Sequence, residues 1–442
     1  MSENRPAMDA SARSGCELDE PPEPEPAPES TAFDVLKIRD FRRIFLASFA
    51  SNMGRWMQNV ALGVFAYELT ESPTFTTFII FAQLSPMLLL SVVGGSLADS
   101  VDRRKLLLFT QAWQALWGLV LAWQVLDDDI SQHLLVGIVF MIGIGQALFA
   151  PAFTAVVPSL VGPRDLGAAI SLNSIQVNGS RVLGPALGAA LLSATGIAEL
   201  FALNSATYLL IIGALFVTPM PPVRQQSMSA ADRLLGGFRV ATRVPQVGRP
   251  LAIMSTFSLL CLPFIGLMPV LAEHDWNVDA ESTQYGLIYA IFGCGALVGA
   301  ALAGTVLVRL DKEKVVRTTL AGFAVALATL SQVRSGWVAA GVLFWVGTFY
   351  FVMPTALNTF LQQHLADEVR GRVMALWVLS FGGVVSLNNL VSGAVVEVTS
   401  TSLVLTSGAA VALVLAALVR LTPGKPVGNE VLSDPARSAT ES

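Results

Sequence analysis

Charged residues are scarce in this sequence. Only 13% of the 442 residues are charged, 53% are hydrophobic, and the mean hydropathy is +0.62. Soluble domains usually carry about 25% charged residues, so this composition excludes an ordinary soluble protein. It indicates a chain that crosses a membrane many times, with the lipid bilayer as its main partner.

Motifs for several kinds of chemistry are also missing. The three cysteines and three histidines are scattered, so there is no disulfide framework and no metal-ligand spacing, and we expect neither a metal nor a cofactor. An ATP-driven pump would need the loop Gly-x-x-x-x-Gly-Lys-Ser/Thr, which does not occur. A membrane-embedded enzyme would need clustered His, Asp or Glu, which is absent too. We also expect no nucleic-acid partner.

Long apolar segments are abundant instead. We place twelve of them, each about long enough to cross a membrane as a helix, near residues 44–69, 75–98, 105–126, 132–158, 167–193, 197–218, 250–271, 283–308, 315–333, 337–360, 372–396 and 401–420. The sequence therefore predicts an all-α membrane protein with twelve transmembrane helices.

The basic residues predict the orientation of these helices. With a cytoplasmic amino terminus, 24 of the 27 lysines and arginines fall on the cytoplasmic side. Acidic residues occupy the opposite loops, as at Glu71, Glu199 and residues 127–129. The positive-inside rule then places both termini in the cytoplasm. Low lysine beside abundant arginine and alanine is typical of a GC-rich bacterial genome, so we expect the bacterial cytoplasmic (inner) membrane.

The chain divides into five parts. Residues 1–33 form an acidic, proline-rich tail that we expect to be disordered. The segments 34–219 and 249–420 each hold six predicted spans, the linker 220–248 joins them, and the tail 421–442 follows.

An internal repeat supports this division. GSLADSVDRRK at 95–105 aligns with GTVLVRLDKEK at 304–314, and such parallel repeats predict two pseudo-symmetric six-helix bundles. The linker sequence ADRLLGGFRVATRV predicts an amphipathic helix. It either lies on the membrane surface or simply bridges the two bundles.

Polar residues interrupt two of the predicted spans, and each interruption contains an arginine. Charges within a membrane usually have a function. We therefore predict that these side chains line a central cavity that binds a small-molecule substrate. They are Asn52, Arg55, Gln58 and Asn59 on the first span, and Ser174, Asn178 and Arg181 on the fifth. The structural alternative is that each arginine pairs with carbonyl, Asn or Gln groups and holds helices together.

Acidic residues, by contrast, are absent from the middle of every predicted span. A proton-coupled transporter needs a group that gains and loses a proton as access alternates. The candidates Glu68, Asp99 and Glu397 all lie near helix ends. The sequence does not decide between them.

Several motifs resemble those of the major facilitator superfamily. GSLADSVDRRK resembles its loop 2–3 signature through Gly95, Asp99, Arg103 and Arg104, although Asp102 stands where glycine is usual. That resemblance implies a gate in which Asp99 pairs with an arginine or with the start of a helix. The alternative is a charge cluster that only sets the topology.

A second motif, RVLGPALGAA, resembles the fifth-helix motif of the superfamily's drug and proton antiporters. The match covers Gly184, Pro185 and Gly188, and ordinary helix packing is an equally good explanation of these residues. The stretches DFRRIFLASFASNMGRWMQ and PAFTAVVPSLVGPRDLGAAISLNS are similar to the transmembrane secretion effector branch, which includes the enterobactin exporter and macrolide efflux proteins.

These resemblances imply a monomeric secondary transporter, not an enzyme, that works by alternating access. The favoured substrate is a small amphiphilic or anionic molecule, such as a siderophore or drug, moved outward with proton coupling. The alternatives are a transporter of the same fold that takes up its solute, and a receptor or scaffold that does not transport.

Overall fold

The protein is helical throughout the part of the chain that the structure describes. The computed structural model describes residues 32–126, 130–154, 156, 160–219, 230–421 and 427. Within these ranges every named element is a helix, and one isolated backbone bridge joins Leu365 to Val427. We call residues 32–219 the N-terminal half of the chain and residues 230–421 the C-terminal half.

Helices α1 to α7 belong to the N-terminal half. They are α1 (Ala32–Lys37), α2 (Arg39–Thr70), α3 (Pro73–Ser100), α4 (Arg103–Val125), α5 (Gln132–Thr154), α6 (Leu166–Thr195) and α7 (Ile197–Val217). A short 3-10 turn at Pro163–Asp165 leads into α6.

Helices α8 to α17 belong to the C-terminal half. They are α8 (Ala230–Arg243), α9 (Pro245–Leu260), α10 (Pro263–Gly266), α11 (Met268–Val270), α12 (Thr283–Gly304), α13 (Lys312–Leu330), α14 (Gly336–Gln363), α15 (Asp367–Val378), α16 (Val384–Val398) and α17 (Thr401–Leu418). Two π-helical turns, Leu271–Asp275 and Leu379–Gly383, continue α11 and join α15 to α16.

Eight helical segments of the described chain are long and apolar enough to cross a membrane. They are Arg103–Val125, Gln132–Ala150, Ile197–Val217, Pro245–Gly266, Thr283–Gly304, Gly336–Gln363, Val369–Val398 and Thr401–Leu418. The four remaining predicted spans fall on α2, α3, α6 and α13. The all-helical membrane fold is thus confirmed, and the count of twelve crossings stays a prediction.

One predicted span differs from a simple helix. The segment 250–271 breaks after Leu260, and the chain continues through the short helices α10 and α11. Pro263 begins α10, and Pro269 lies in α11. Proline has no N–H to donate and clashes with the preceding turn, so it interrupts the helix here.

Two aspartates of the internal repeat start equivalent helices. Asp102 accepts hydrogen bonds of 2.9 and 3.2 Å from the N–H groups of Arg104 and Lys105 at the start of α4. Asp311 accepts one of 2.9 Å from the N–H of Glu313 at the start of α13. A carboxylate at this position satisfies free N–H groups and the positive end of the helix dipole.

The two halves pack along two pairs of helices. Helix α3 lies against α16, and α6 lies against α12. Within the C-terminal half, α12 and α14 approach closely through Gly295 and Gly299, where an added Cβ would collide with the α14 backbone. The small-xxx-small spacing of these two glycines therefore permits the close contact between α12 and α14.

The linker helix α8 lies against the rest of the C-terminal half on one side. Gly237 packs on the backbone of Arg372 in α15, and Val240 is fully buried. Leu235 and Phe238 on the opposite side are exposed. The linker therefore contains a helix with apolar residues on its open side as well, and its amphipathic role at the membrane surface or between the bundles stays a prediction.

Candidate functional site

Arg55 lies on α2, one turn after Asn52. Its Nη2 atom donates a hydrogen bond of 2.5 Å to Oδ1 of Asn52, and both side chains are partly buried. The spacing of three residues brings the two side chains to neighbouring positions on the helix. The two polar residues thus form a connected pair, while contact of Arg55 with a substrate stays a prediction.

Gln58 connects α2 to α7. Its Oε1 atom accepts a hydrogen bond of 2.6 Å from Nδ2 of Asn204, which lies 3.2 Å from the hydroxyl oxygen of Tyr208. All three side chains are buried. Gly54 lets α7 approach, since a Cβ there would collide with Asn204. The contacts of Gln58 are those of the structural alternative, in which polar groups hold helices together.

Asn59 connects α2 to α3. Its Oδ1 atom accepts a hydrogen bond of 3.0 Å from Nε2 of Gln83, and both residues are partly buried. The polar residues of α2 therefore face two different neighbours, α7 through Gln58 and α3 through Asn59. Arg55 lies one helical turn before these two contacts on α2.

Arg181 lies on α6 and contacts three aromatic rings. Its Cζ atom is 5.7 Å from the ring centre of Trp56, 5.3 Å from that of Phe351 and 5.9 Å from that of Phe381. These are cation–π distances. Trp56 belongs to α2, whereas Phe351 and Phe381 belong to the C-terminal half, so this arginine lies where the two halves meet.

The positive charges of Arg55 and Arg181 are only partly compensated. Among the described side chains, neither has a carboxylate within ion-pair distance. The Nε atom of Arg181 is buried without a hydrogen-bond partner among the described atoms. An arginine in hydrocarbon costs about 2.5 kcal/mol or more, and a desolvated cation–π contact returns about 2 kcal/mol. An anion would complete the charge balance.

The glycines of the antiporter-like motif bring α6 onto α2. A Cβ at Gly184 would collide with Trp56, and one at Gly188 would collide with Met57. Pro185 lies inside the helix between them. This is close packing, and a special role in antiport stays a prediction.

Four predicted site residues have side chains outside the described part of the structure. They are Gly95, Asp99, Ser174 and Asn178. Nothing in the structure tests their roles in the gate or the cavity.

The two arginines of the predicted gate are described. Arg104 donates a hydrogen bond from Nη2 to the carbonyl of Phe216 at the end of α7. The Nε atom of Arg103 is buried and has no hydrogen-bond partner among the described atoms. Arg317 of the C-terminal half makes a matching bond of 2.8 Å to the carbonyl of Val419 after α17. In each half an arginine therefore donates to a carbonyl at the carboxyl end of the last helix of that half, α7 or α17, where the helix dipole is negative.

Glu68 lies at the end of α2 that the charge pattern places outside. Its carboxyl group is within hydrogen-bond reach of Glu281, with Glu273 and Asp279 close by. The adjacent Tyr67 forms a hydrogen bond through its hydroxyl group to Nε2 of His274. These contacts join the N-terminal half to the C-terminal half.

Glu397 makes a third contact between the halves at the same end. Its Oε1 atom accepts hydrogen bonds from the hydroxyl of Ser72 and, over 3.3 Å, from the N–H of Thr74. Gly393, one turn earlier on α16, lets the first turn of α3 approach, since a Cβ there would collide with Thr77. Glu397 thus caps a helix of the other half, and a role in proton coupling stays a prediction.

A cleft with about 210 Å³ of open space lies beside the first turns of α2. Its lining residues are Phe41, Ile44, Phe45, Ser48, Phe153, Leu160, Asn173 and Gln176. Arg55 and Arg181 are not among them. This cleft therefore does not test the prediction that the two arginines border a substrate cavity.

The aromatic cluster of the C-terminal half was missed by the sequence reasoning. Tyr350 stacks 6.3 Å from Phe381, meets Phe351 edge-on at 4.9 Å, and lies 6.1 Å from Phe292. The regular spacing of Tyr285, Tyr289 and Phe292 on α12 was a signal that could have revealed part of it.

Comparison with known proteins places this architecture among membrane transporters. The nucleoside transporter NupG superposes with a TM-score of 0.70 at 12% sequence identity, covering 86% of this chain and 98% of that chain. A POT family transporter in complex with 5-aminolevulinic acid gives a TM-score of 0.69 at 12% identity, covering 86% and 95%. The described chain therefore shares the fold of these transporters.

The sequence comparisons narrow this class to a family. The model of the transmembrane secretion effector family matches residues 30–440, so the chain belongs to that family. The enterobactin exporter EntS of Escherichia coli O1:K1 / APEC is 28% identical over 344 residues, covering 76% of this chain and 80% of that exporter. The enterobactin exporter EntS of Citrobacter koseri is 28% identical over 345 residues, with the same coverage.

Proposed function

We propose that this protein exports a small anionic or amphiphilic molecule across the bacterial cytoplasmic membrane by alternating access of two six-helix bundles, 34–219 and 249–420. One observation carries the proposal. Arg181 lies where the two halves meet, and neither it nor Arg55 on the neighbouring helix α2 has a carboxylate within ion-pair distance among the described side chains. A neutral or cationic substrate would leave both charges uncompensated, whereas an anion pairs with them.

The relatives make a siderophore the first substrate to test. Both named relatives are enterobactin exporters, and the chain covers 80% of their length. Proton coupling belongs to the same proposal, with Glu68, Asp99 and Glu397 as its candidate residues.

Transport of enterobactin in membrane vesicles tests the proposal. We expect inside-out vesicles that contain the protein to accumulate enterobactin when their lumen is acidified, and vesicles with Arg181→Gln to accumulate far less. Accumulation only by right-side-out vesicles would favour the uptake alternative. Accumulation by neither preparation would favour a receptor or scaffold.

Labelling of single cysteines tests the proposed orientation. Ser131 and Arg243 lie on opposite sides of the membrane in the topology that the basic residues predict. After removal of the native cysteines, Ser131→Cys should react with an impermeant maleimide added to intact cells, and Arg243→Cys should not. Labelling at position 243 alone would reverse the topology.

A further inference from the structure

Arg181 joins the two halves of the chain through its guanidinium group. It extends from α6 of the N-terminal half to Phe351 and Phe381 of the C-terminal half, at 5.3 and 5.9 Å from the ring centres. The third ring, that of Trp56, belongs to the same half as the arginine. The contact with the other half is therefore made by aromatic rings and not by a carboxylate.

The two rings of the C-terminal half are held in place by their own neighbours. Phe381 lies in the π-helical turn Leu379–Gly383, a type of irregularity that is common at functional sites. It stacks on Tyr350, which also meets Phe351 edge-on at 4.9 Å. The rings therefore form a fixed surface, and the flexible partner in the contact is the arginine side chain.

A cation–π contact is a weaker partner for a buried guanidinium than a charged oxygen that accepts its hydrogen bonds. The Nε–H of Arg181 has no acceptor among the described atoms, so these atoms leave part of its bonding capacity unused. An anion that reaches Arg181 would use that capacity and draw the guanidinium group away from the rings.

From this geometry we infer that an anionic ligand competes with Phe351 and Phe381 for Arg181, so that ligand binding releases the contact between the two halves. The inference rests on the proposed function, because it assumes that the transported anion binds Arg181. It adds that the two rings oppose binding of the ligand to Arg181 and hold the two halves in contact when no ligand is bound. If the rings instead form a platform on which the ligand stacks, their removal has the opposite effect on affinity.

Ligand affinity separates these two roles. The full-length protein in nanodiscs is titrated with enterobactin, and the dissociation constants are compared for the wild type, Phe351→Leu and Phe381→Leu. Leucine keeps an apolar side chain but removes the ring. We expect each variant to bind about tenfold more tightly, because a competing partner of Arg181 is lost. Phe349→Leu is the matched control, since Phe349 stacks on Trp345 in the same helix.

A distance measurement supplies a second readout. Spin labels at the exposed positions His133 and Ser335, in a background without native cysteines, report the separation of the halves. In the absence of ligand, Phe351→Leu and Phe381→Leu should shift the distance distribution in the direction that enterobactin shifts the wild type, and Phe349→Leu should not.

Weaker or unchanged binding in the two ring variants, with normal binding by the wild type, would overturn the inference and leave the proposed function standing. Two other outcomes would instead contradict the anion site on which the inference rests. One is that the wild type does not bind enterobactin. The other is that enterobactin shifts the distance distribution of Arg181→Gln as much as that of the wild type.

Discussion

The two halves of the chain place different side chains around the buried arginines. The N-terminal half supplies the arginines themselves, a network of amides and the ring of Trp56, and the C-terminal half supplies a cluster of aromatic rings. The polar set is Asn52, Arg55, Gln58, Asn59, Gln83, Arg181 and Asn204. The aromatic set is Tyr289, Phe292, Tyr350, Phe351 and Phe381. If the halves arose from a repeat, as the motifs predict, the two copies have diverged in the side chains that they place here.

The largest expected effect comes from removing the charge that contacts both sets. Arg181→Gln should lower transport of enterobactin about 100-fold, because a buried hydrogen bond to a charged group is worth about 1.5–3 kcal/mol. Membrane abundance should stay near normal, since glutamine relieves a buried charge.

Arg181→Lys is the control for this prediction. Lysine keeps the charge but loses the planar fork of donors, so it should retain an intermediate rate. Equal transport by Arg181→Gln and the wild type would remove this arginine from the substrate site.

Arg55 should give the next largest effect. Its bond to Asn52 lies within one helix, so its loss breaks no hydrogen bond between helices among the described side chains. We expect Arg55→Gln to lower transport about tenfold and Arg55→Lys to lower it less, a difference that corresponds to about 1.4 kcal/mol or less. A fall in thermal stability in both variants before any change in transport would show that Arg55 holds helices together.

Part of this site follows from the sequence alone. Helical periodicity correctly predicts that Asn52 and Arg55 are neighbours, because both lie within one turn of the same helix. In the loop 2–3 motif Asp102 is only a departure from the usual glycine. An aspartate directly before a helix nevertheless predicts a cap, and Asp102 does cap α4.

The partners of Arg181 could not be predicted in the same way. Phe351 and Phe381 lie 170 and 200 positions further along the chain, and nothing in local periodicity relates them to the arginine. They come together only because α6 and α12 pack across the two halves and because a π-helical turn redirects Phe381. Long-range contacts of this kind depend on the packing of whole helices.

A smaller effect is expected at the predicted gate, where the two halves also differ. In the aligned repeat Asp99 corresponds to Val308, so only the N-terminal half carries this carboxylate. Asp99→Asn should lower transport about threefold to tenfold while abundance stays normal, as for the loss of one charged contact.

The matched change for this gate is Asp102→Asn. Asp102 caps α4, and asparagine caps a helix start about as well, so this substitution removes a charge from the same motif and should leave both the fold and transport nearly unchanged. Unchanged transport in Asp99→Asn would reduce the motif to a signal for topology.

The smallest effect is expected at the end of the bundle where Glu397 caps α3. Glu397→Gln keeps an acceptor for Ser72 and Thr74 but removes the charge that favours the helix start. We expect a modest increase in the reaction of a cysteine at Thr77, which is fully buried at this contact, with an impermeant maleimide. Glu71→Gln is the control, and an equal increase there would mean that Glu397 does not hold this contact.

The central claim is that the N-terminal half selects for an anion, and matched probes test it most directly. Binding of 2-naphthoate is compared with that of the neutral 2-naphthamide, in the wild type and in the double variant Arg55→Gln/Arg181→Gln. The account predicts that the wild type binds the anion at least about tenfold more tightly and that the double variant binds the two probes alike. Equal binding of the two probes by the wild type would contradict it.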